Sequence, residues 1–564
     1  MNTKSVAVAL GAVLLGVAAL ATYEISDPDL GFHLATGRNI LATGHWPDRN
    51  VLSFAEPNQP WVLQQGVPAV VFEWLWQKGG AVALITAKAL MVALTFGLVF
   101  LATMALGVRP LLGAVVVLFG AWSCAFRFVE RPLIFSNLML ALVIWSMVRA
   151  WRAPEGGRWR WLVAAQIATA IACNLHAGAV FSVLLLCLCC GCLWASPILH
   201  RQRLGSMALE PAGWRPAVAV AATLALALSL AGLALALYHP FPLRVLEIPF
   251  RMGADAFLAE HLIEFRPPWR FPFAVMKGYW IFLGAGLVIV ILNVRRIALP
   301  LWAPVMVFAI FSLKFVRFAD AYAIVAAPVI ALGLEQLLAR ATLRSGLARL
   351  ALAMAMLVMA FDNWSLRPLR LGFSSYGFGT AMMDRVAAWK LKGPAFVSDG
   401  WAGPFLARFY PEQRVYFFPA FDAFSQALYR EYVDIRYGKP GWRQKLDQYG
   451  IELVVMKYTS PNERIYQGGA DNLRQHLVRD ADWRLVAFDD LGEIFVRAAG
   501  VNAAVAQTKG LAGLDPDRMR IVGKSDDVLR NLEQAESGLP ASERLGMLKQ
   551  LAAQSARAAA PTTP

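Results

Sequence analysis

Charge is what this sequence is short of. Only 16% of its 564 residues are Asp, Glu, Lys or Arg, against about 25% in soluble domains; 58% are hydrophobic, and the mean hydropathy is +0.50. This excludes a chain that is soluble throughout. Acid is scarcer than base, leaving a net charge of +15. Such a surplus would suit nucleic acid, but the basic residues fall largely between apolar runs, as orientation signals do, and nucleic acid is set aside on that ground. Cysteine is limited to Cys124, Cys173, Cys187, Cys189, Cys190 and Cys192, all inside apolar runs, so they read as lipid-facing packing residues rather than a disulfide framework or metal site. No G-x-G-x-x-G, P-loop, H-E-x-x-H or G-x-S-x-G pattern stands where it could act. Nor is there the internal repeat that would argue for a transporter.

What is present is two compositions in one chain. Residues 1–362 are nearly continuous apolar runs and the remainder has ordinary soluble composition. The division predicts a transmembrane domain over 1–362, an α/β domain over 363–497, and a helical or partly disordered tail over 498–564, loosely held and a candidate docking site for a protein partner. Eleven spans are expected: 5–22, 81–105, 111–127, 132–149, 161–175, 178–197, 216–238, 279–293, 299–314, 320–337 and 348–362. The run 5–22 stands behind Lys4 and ends in Ala19-Leu20-Ala21, like a signal-peptide cleavage site. It reads as an uncleaved first span, because the residues just after it have functional character. The stretch 61–77, with Trp61, Trp74, Trp76 and Glu73, reads as an interfacial helix.

Orientation follows from the basic loops. With Lys4 inside and eleven spans, the clusters around Arg149–Arg160, Arg201–Arg215, Arg295–Arg296 and Arg340–Arg349 all fall on the cytoplasmic side. The soluble domain then lies outside, in the periplasm of a bacterial inner-membrane protein. The same topology collects Asp27, Asp29, His33, Arg127, Glu130, Arg131, Asn174, His176, His261, Glu264, Lys314, Arg317 and Asp320 on the outer face, with five of the seven histidines. An ionisable group near the hydrocarbon costs about 2.5–3.5 kcal/mol at a helix centre, so such groups usually face a polar cavity.

Asp27-Pro28-Asp29 is the sharpest feature. One carboxylate can take a proton from an attacking hydroxyl, and the two can hold a divalent cation, Mg or Mn, that bridges phosphates. Either can instead cap the helix that begins near Leu30. Arg127, Arg131, Lys314 and Arg317, all beside span ends, can bind a phosphate or extend to lipid headgroups. Asn174 and His176 share a tight turn, where they either stabilise it or touch substrate. His261 and Glu264 are one helical turn apart, which suits a loop-stabilising pair more than a metal site.

These pieces together resemble the GT-C superfamily of membrane glycosyltransferases, in which an acidic pair stands in the first outer loop ahead of amphipathic helices and many spans. DPDLGFHLATGRNILATGHWPDRNVLSFAEPNQPWV and VFEWLWQKGG are similar to a bacterial branch of it. So are FRFVERPLIFSNLMLAL, NLHAGAV, SLKFVRFADAYAIVAAP and PGWRQKLDQYGIELVVMK. Gly31-Phe32 stands where aromatic residues are expected, and Asn174-Leu175-His176-Ala177-Gly178 only approximates an N-x-H-G-G pattern. The resemblance implies a polytopic α-helical fold and a polyprenyl-phosphate-linked sugar donor. It makes Asp27 or Asp29 the base of a single, inverting displacement onto a periplasmic acceptor. His33, Arg127, Arg131, Asn174, His176, His261, Glu264, Lys314 and Arg317 are the substrate-binding candidates. The alternative is a non-catalytic scaffold with the same membrane fold that recruits a partner complex through its outer domain and tail.

In the soluble part, PAFVSDGWAG and QRVYFFPAFD predict strands, WRQKLDQYG a helix, IELVVMK a strand, and DWRLVAFDDLGEIFVRA a hairpin turning at Asp490-Leu491-Gly492. Asp399 and Asp422 each follow an expected strand, where turn chemistry or ligand contact can place them.

Overall fold

The computed structural model describes residues 3–201, 214–245, 247–248, 263–339, 362, 368–458, 473–535 and 538–559. Among the described residues before 340, the regular elements are helices. In chain order the helices are α1 (Thr3–Ala21), α2 (Asp29–Thr43), α3 (Gly66–Ala105), α4 (Pro110–Ser123), α5 (Leu133–Arg152) and α6 (Glu155–Leu175). They continue with α7 (Ala179–Arg201), α8 (Trp214–Tyr238), α9 (Phe273–Asn293), α10 (Leu299–Lys314) and α11 (Ala319–Leu338). Among the described residues, the helices within Thr3–Ala21, Gly66–Ala105, Leu133–Arg152, Arg215–Tyr238, Phe273–Asn293 and Val316–Leu338 are six that are long and apolar enough to cross a membrane, and three shorter apolar helices accompany them. The protein is therefore a polytopic helical membrane protein. A helix stands at each expected span up to 320–337; the span expected at 348–362 lies outside the described residues, apart from Asp362.

The chain divides into two compact units that are not contiguous in sequence. One is Met1–Ile25, Gln64–Pro68 and Leu75–Gly372; the other is Ser26–Leu63, Ala69–Trp74 and Phe373–Pro564. The sequence placed residues 26–74 with the membrane spans, whereas the structure groups most of them with the C-terminal residues.

In the first unit, helix ends follow local chemistry. Pro110 opens α4 at a position whose N–H would have no helical partner. Inside α3, Gly79 and Gly80 leave helical geometry, Gly80 at φ +57°, a conformation glycine tolerates without strain. The break separates the Trp-rich stretch from the apolar stretch beginning at Ala81. Apolar helices gain little from burying more hydrocarbon in lipid, so polar contacts help to specify their pairing. The Tyr279 and Ser312 hydroxyls meet at 2.8 Å between α9 and α10. Asn293 of α9 donates to the Gly333 carbonyl of α11 at 3.3 Å. Arg109, before α4, pairs with Glu335 of α11 at 2.7 Å. All six cysteines are free; Cys124, Cys173 and Cys189 are buried within the protein rather than facing lipid, and Cys187 is exposed.

The second unit is built on a four-stranded sheet of order β1-β2-β4-β3, from β1 (Ala395–Val397), β2 (Leu453–Lys457), β3 (Trp483–Phe488) and β4 (Gly492–Arg497). β1 and β2 run parallel with Phe396 opposite Val454, and β4 pairs antiparallel with both neighbours. The expected hairpin is present: the Asp489 carboxylate accepts from Leu491 N at 2.7 Å and Gly492 N at 2.9 Å, a side-chain-stabilised turn. The expected strand QRVYFFPAFD is not a strand. Val415 makes only isolated bridges, to Ser53 and Ala395. Pro419 cannot donate to a ladder, and Phe417 stacks on Tyr429 and Tyr432, 5.2 and 4.5 Å between ring centroids, instead of alternating across a sheet.

The segment after the first helix is knitted into this unit. Asn50 donates to the Ala423 carbonyl at 3.2 Å, Ser53 to the Tyr416 carbonyl at 2.7 Å, and Ser425 N–H to the Glu56 carboxylate at 2.9 Å. The tail region holds helices at Ala503–Lys509, Ser525–Ala535 and Glu543–Ala559, and a short hairpin pairing Leu514–Asp515 with Arg520–Ile521. It is anchored to the sheet rather than loosely held. The Asp490 carboxylate receives the N–H groups of Glu543 at 3.0 Å and Arg544 at 2.8 Å, capping the last helix. Beneath it, Arg474 is buried with Nε 3.2 Å from Glu493 and Nη2 3.2 Å from Asp517, and it donates to the Lys457 carbonyl at 2.8 Å. Burial pushes the Glu493 carboxyl up to about 8, against the lowering influence of Arg474.

Candidate functional site

The acidic pair belongs to the second unit. Asp29 is the first residue of α2, where a carboxylate also complements the helix dipole. Asp27, 7% exposed, accepts the Asp29 N–H on Oδ1 at 3.0 Å and so closes the turn that starts the helix. Asp29 is half-buried. Helix α2 lies close against the helix Asp399–Phe409. A Cβ on Gly31 would stand 2.1 Å from the Gly403 carbonyl carbon, and a Cβ on Gly403 would stand 2.1 Å from the Pro28 carbonyl oxygen. Gly31, the departure from the aromatic pattern, is thus required by a backbone contact with no room for a side chain. His33 is buried, its ring 4.2 Å from Phe32 and 6.2 Å from Phe72 between centroids. Further along α2, Arg38 pairs with Glu73 at 3.1 Å and donates to the Tyr410 carbonyl at 2.9 Å.

The basic candidates belong to the first unit. Arg127 and Arg131 both reach Glu264, Arg127 at 3.5 Å. Arg317 lies within electrostatic range of Arg127, Arg131 and Asp320, and its guanidinium covers the Phe265 ring at 4.6 Å. Asp320 is buried and receives the Asn137 amide at 2.9 Å. Three arginines from two separate stretches therefore form one cluster with two carboxylates. Lys314 is exposed, 5.1 Å above the Phe315 ring. The structure pairs Glu264 with the arginines; His261 lies outside the described residues.

Asn174 and His176 serve the turn between α6 and α7. The Asn174 amide donates to the Ala170 carbonyl at 2.9 Å, and its Oδ1 accepts from the Tyr238 hydroxyl at 3.0 Å. His176 Nδ1 accepts the Gly178 N–H at 2.9 Å, with the Ser136 hydroxyl 3.3 Å away. Sequence reasoning missed Lys88. It sits inside the apolar part of α3, fully buried, 2.7 Å from Glu130; a lone lysine in a run of apolar residues was the available signal.

No protein-family profile matches the chain, and no curated protein matches it in sequence. Solved structures do. ArnT from Cupriavidus metallidurans in the apo state aligns with a TM-score of 0.51 at 15% identity, over 87% of this chain and 97% of that one. The same protein bound to undecaprenyl phosphate aligns at a TM-score of 0.47 and 15% identity, over the same shares of 87% and 97%. The Archaeoglobus fulgidus oligosaccharyltransferase in its apo form aligns at 0.54 and 10% identity, over 87% of this chain and 74% of that one. The fold of this chain is the one shared with apo ArnT and the oligosaccharyltransferase.

Proposed function

We propose that this protein is a membrane glycosyltransferase that moves a sugar from a polyprenyl-phosphate carrier to an acceptor hydroxyl on the periplasmic face of the inner membrane. The observation that carries the reading is an acidic pair opening the first helix after an N-terminal apolar helix, in a chain with the GT-C fold. The acceptor oxygen attacks the anomeric carbon as Asp27 or Asp29 takes its proton. The carbon–oxygen bond to the carrier breaks with inversion, and the polyprenyl phosphate departs as an anion. Arg127, Arg131 and Arg317 are suited to hold it, since guanidinium groups bind phosphate oxygens through paired hydrogen bonds. The loop charges support eleven spans, a cytoplasmic N-terminus and a periplasmic C-terminal domain.

Among the described residues, no three His, Cys, Asp or Glu side chains gather to hold a metal by themselves. Asp27 and Asp29 nevertheless supply the one or two carboxylates that Mg2+ commonly takes from protein when phosphates and water complete its shell. Such an ion, or Mn2+, would add charge stabilisation of the leaving phosphate.

The test is complementation of a deletion strain with Asp27→Asn and Asp29→Asn, with surface glycans profiled by mass spectrometry after membrane insertion is verified. Loss of one defined sugar in either variant supports the reading and names the donor. Wild-type glycans from both variants, with the deletion phenotype rescued, would overturn it.

A further inference from the structure

We propose that Lys88 and Glu130 form a buried brace that positions Arg127 and Arg131 for an anionic phosphate headgroup; the inference rests on the donor reading above. The Lys88 ammonium is 2.7 Å from the Glu130 carboxylate, with the side chains 0% and 1% exposed. It also lies 3.7 Å from the centroid of the Tyr23 ring, and the Tyr23 hydroxyl donates to the Phe128 carbonyl. Two segments, the residues just after α1 and the body of α3, thereby grip the same short loop.

That loop has little regular structure to hold its shape. A single 3-10 turn, Ala125–Arg127, is followed by two tight turns, Val129 N–H to the Arg127 carbonyl at 2.9 Å and Arg131 N–H to the Val129 carbonyl at 2.8 Å. Along it, gripped and guanidinium-bearing residues interleave: Arg127, then Phe128 held by Tyr23, then Glu130 held by Lys88, then Arg131. With the loop's own backbone making few repeating contacts, these grips fix where the Arg127 and Arg131 backbones stand, from which both guanidinium groups reach Glu264.

Stability does not explain the pair. Replacing a buried ion pair with apolar residues of similar volume is often neutral or stabilising, and ionisable groups within membrane helices are costly and usually functional. A fixed loop geometry is something a charge pair supplies and a hydrophobic contact, being non-directional, does not.

The full chain in phosphatidylcholine nanodiscs decides the matter, with undecaprenyl phosphate as the probe and amide hydrogen exchange across 125–131 as a second readout. Lys88→Met with Glu130→Leu removes both charges together. The expected result is an unchanged melting temperature, faster exchange in the loop, and probe affinity lowered roughly 10- to 100-fold, the size of loss that small misplacements of positioned groups produce. Tyr23→Phe removes one grip and leaves every charge in place; it shifts both readouts in the same direction by less. Wild-type exchange in both variants overturns the brace, as does faster exchange with unchanged affinity. If the wild-type protein does not bind undecaprenyl phosphate, the donor reading fails instead, and loop exchange alone then decides whether the brace exists.

Discussion

Gly31 and Gly403 meet backbone to backbone, so that a Cβ on Gly31 would fall 2.1 Å from the Gly403 carbonyl carbon. The contact sets how the helix that begins at Asp29 lies against the helix Asp399–Phe409. Gly31→Ala must push the two backbones apart, and overpacking of this kind costs about 1–3 kcal/mol. Gly403→Ala is expected to do the same from the other side, because its Cβ would meet the Pro28 carbonyl oxygen at 2.1 Å. Thermal unfolding of the detergent-solubilised chain measures the loss, and an unshifted transition in both variants would contradict the close approach.

Asp27 has a structural use and a proposed chemical one, and two substitutions separate them. Its Oδ1 accepts the Asp29 N–H at 3.0 Å. Asn retains that acceptor and loses the charge, so Asp27→Asn is expected to keep the helix start and stability while losing transfer activity. Asp27→Ala loses both, with about 0.5–2 kcal/mol of stability removed along with the turn. Equal activity in the wild type and the Asn variant would remove Asp27 as the base and leave Asp29.

Two buried carboxyls make the C-terminal unit sensitive to alkali. Burial raises Asp422 to about 7, against its backbone contacts and Trp61, and raises Glu493 to about 8. Both folded values exceed the unfolded ones, so the folded state prefers the protonated acids. Their contribution is complete below the unfolded values, near 4, and is lost as pH rises through about 7 and 8. Melting temperature is expected to fall between pH 5 and pH 8. Asp422→Asn and Glu493→Gln together should flatten that slope; an unchanged slope in the double variant assigns it to other groups.

Arg474 is buried between the sheet and the tail, 3.2 Å from Asp517. Arg474→Met takes the Arg474 guanidinium away from the Asp517 carboxylate, 4% exposed, and breaking a buried pair by removing one partner costs about 3–5 kcal/mol. Limited proteolysis should then cut the chain beyond residue 500 well before the sheet, and Asp517→Asn in the same chain should restore much of the resistance. Equal protection in Arg474→Met and wild type would mean that the tail is held by its apolar contacts.

How much of this was legible in the sequence follows from the range of each interaction. A transmembrane helix satisfies its own backbone and is specified by a local apolar run, so helices stand at each expected span up to 320–337 and the break at Gly79–Gly80 falls between the two expected segments. The Asp489 turn and the hairpin around it are equally local. The strand expected at 413–422 failed because local alternation was outweighed by Phe417 stacking on Tyr429 and Tyr432. That Asp27 and Asp29 open a helix could be read from their neighbours. Only the tertiary structure determined that this helix requires Gly403, that residues 50–56 belong with the C-terminal sheet, and that Lys88 has Glu130 as its partner. Each of those contacts joins residues far apart in the chain through side-chain or backbone complementarity, which no periodicity in a single segment encodes.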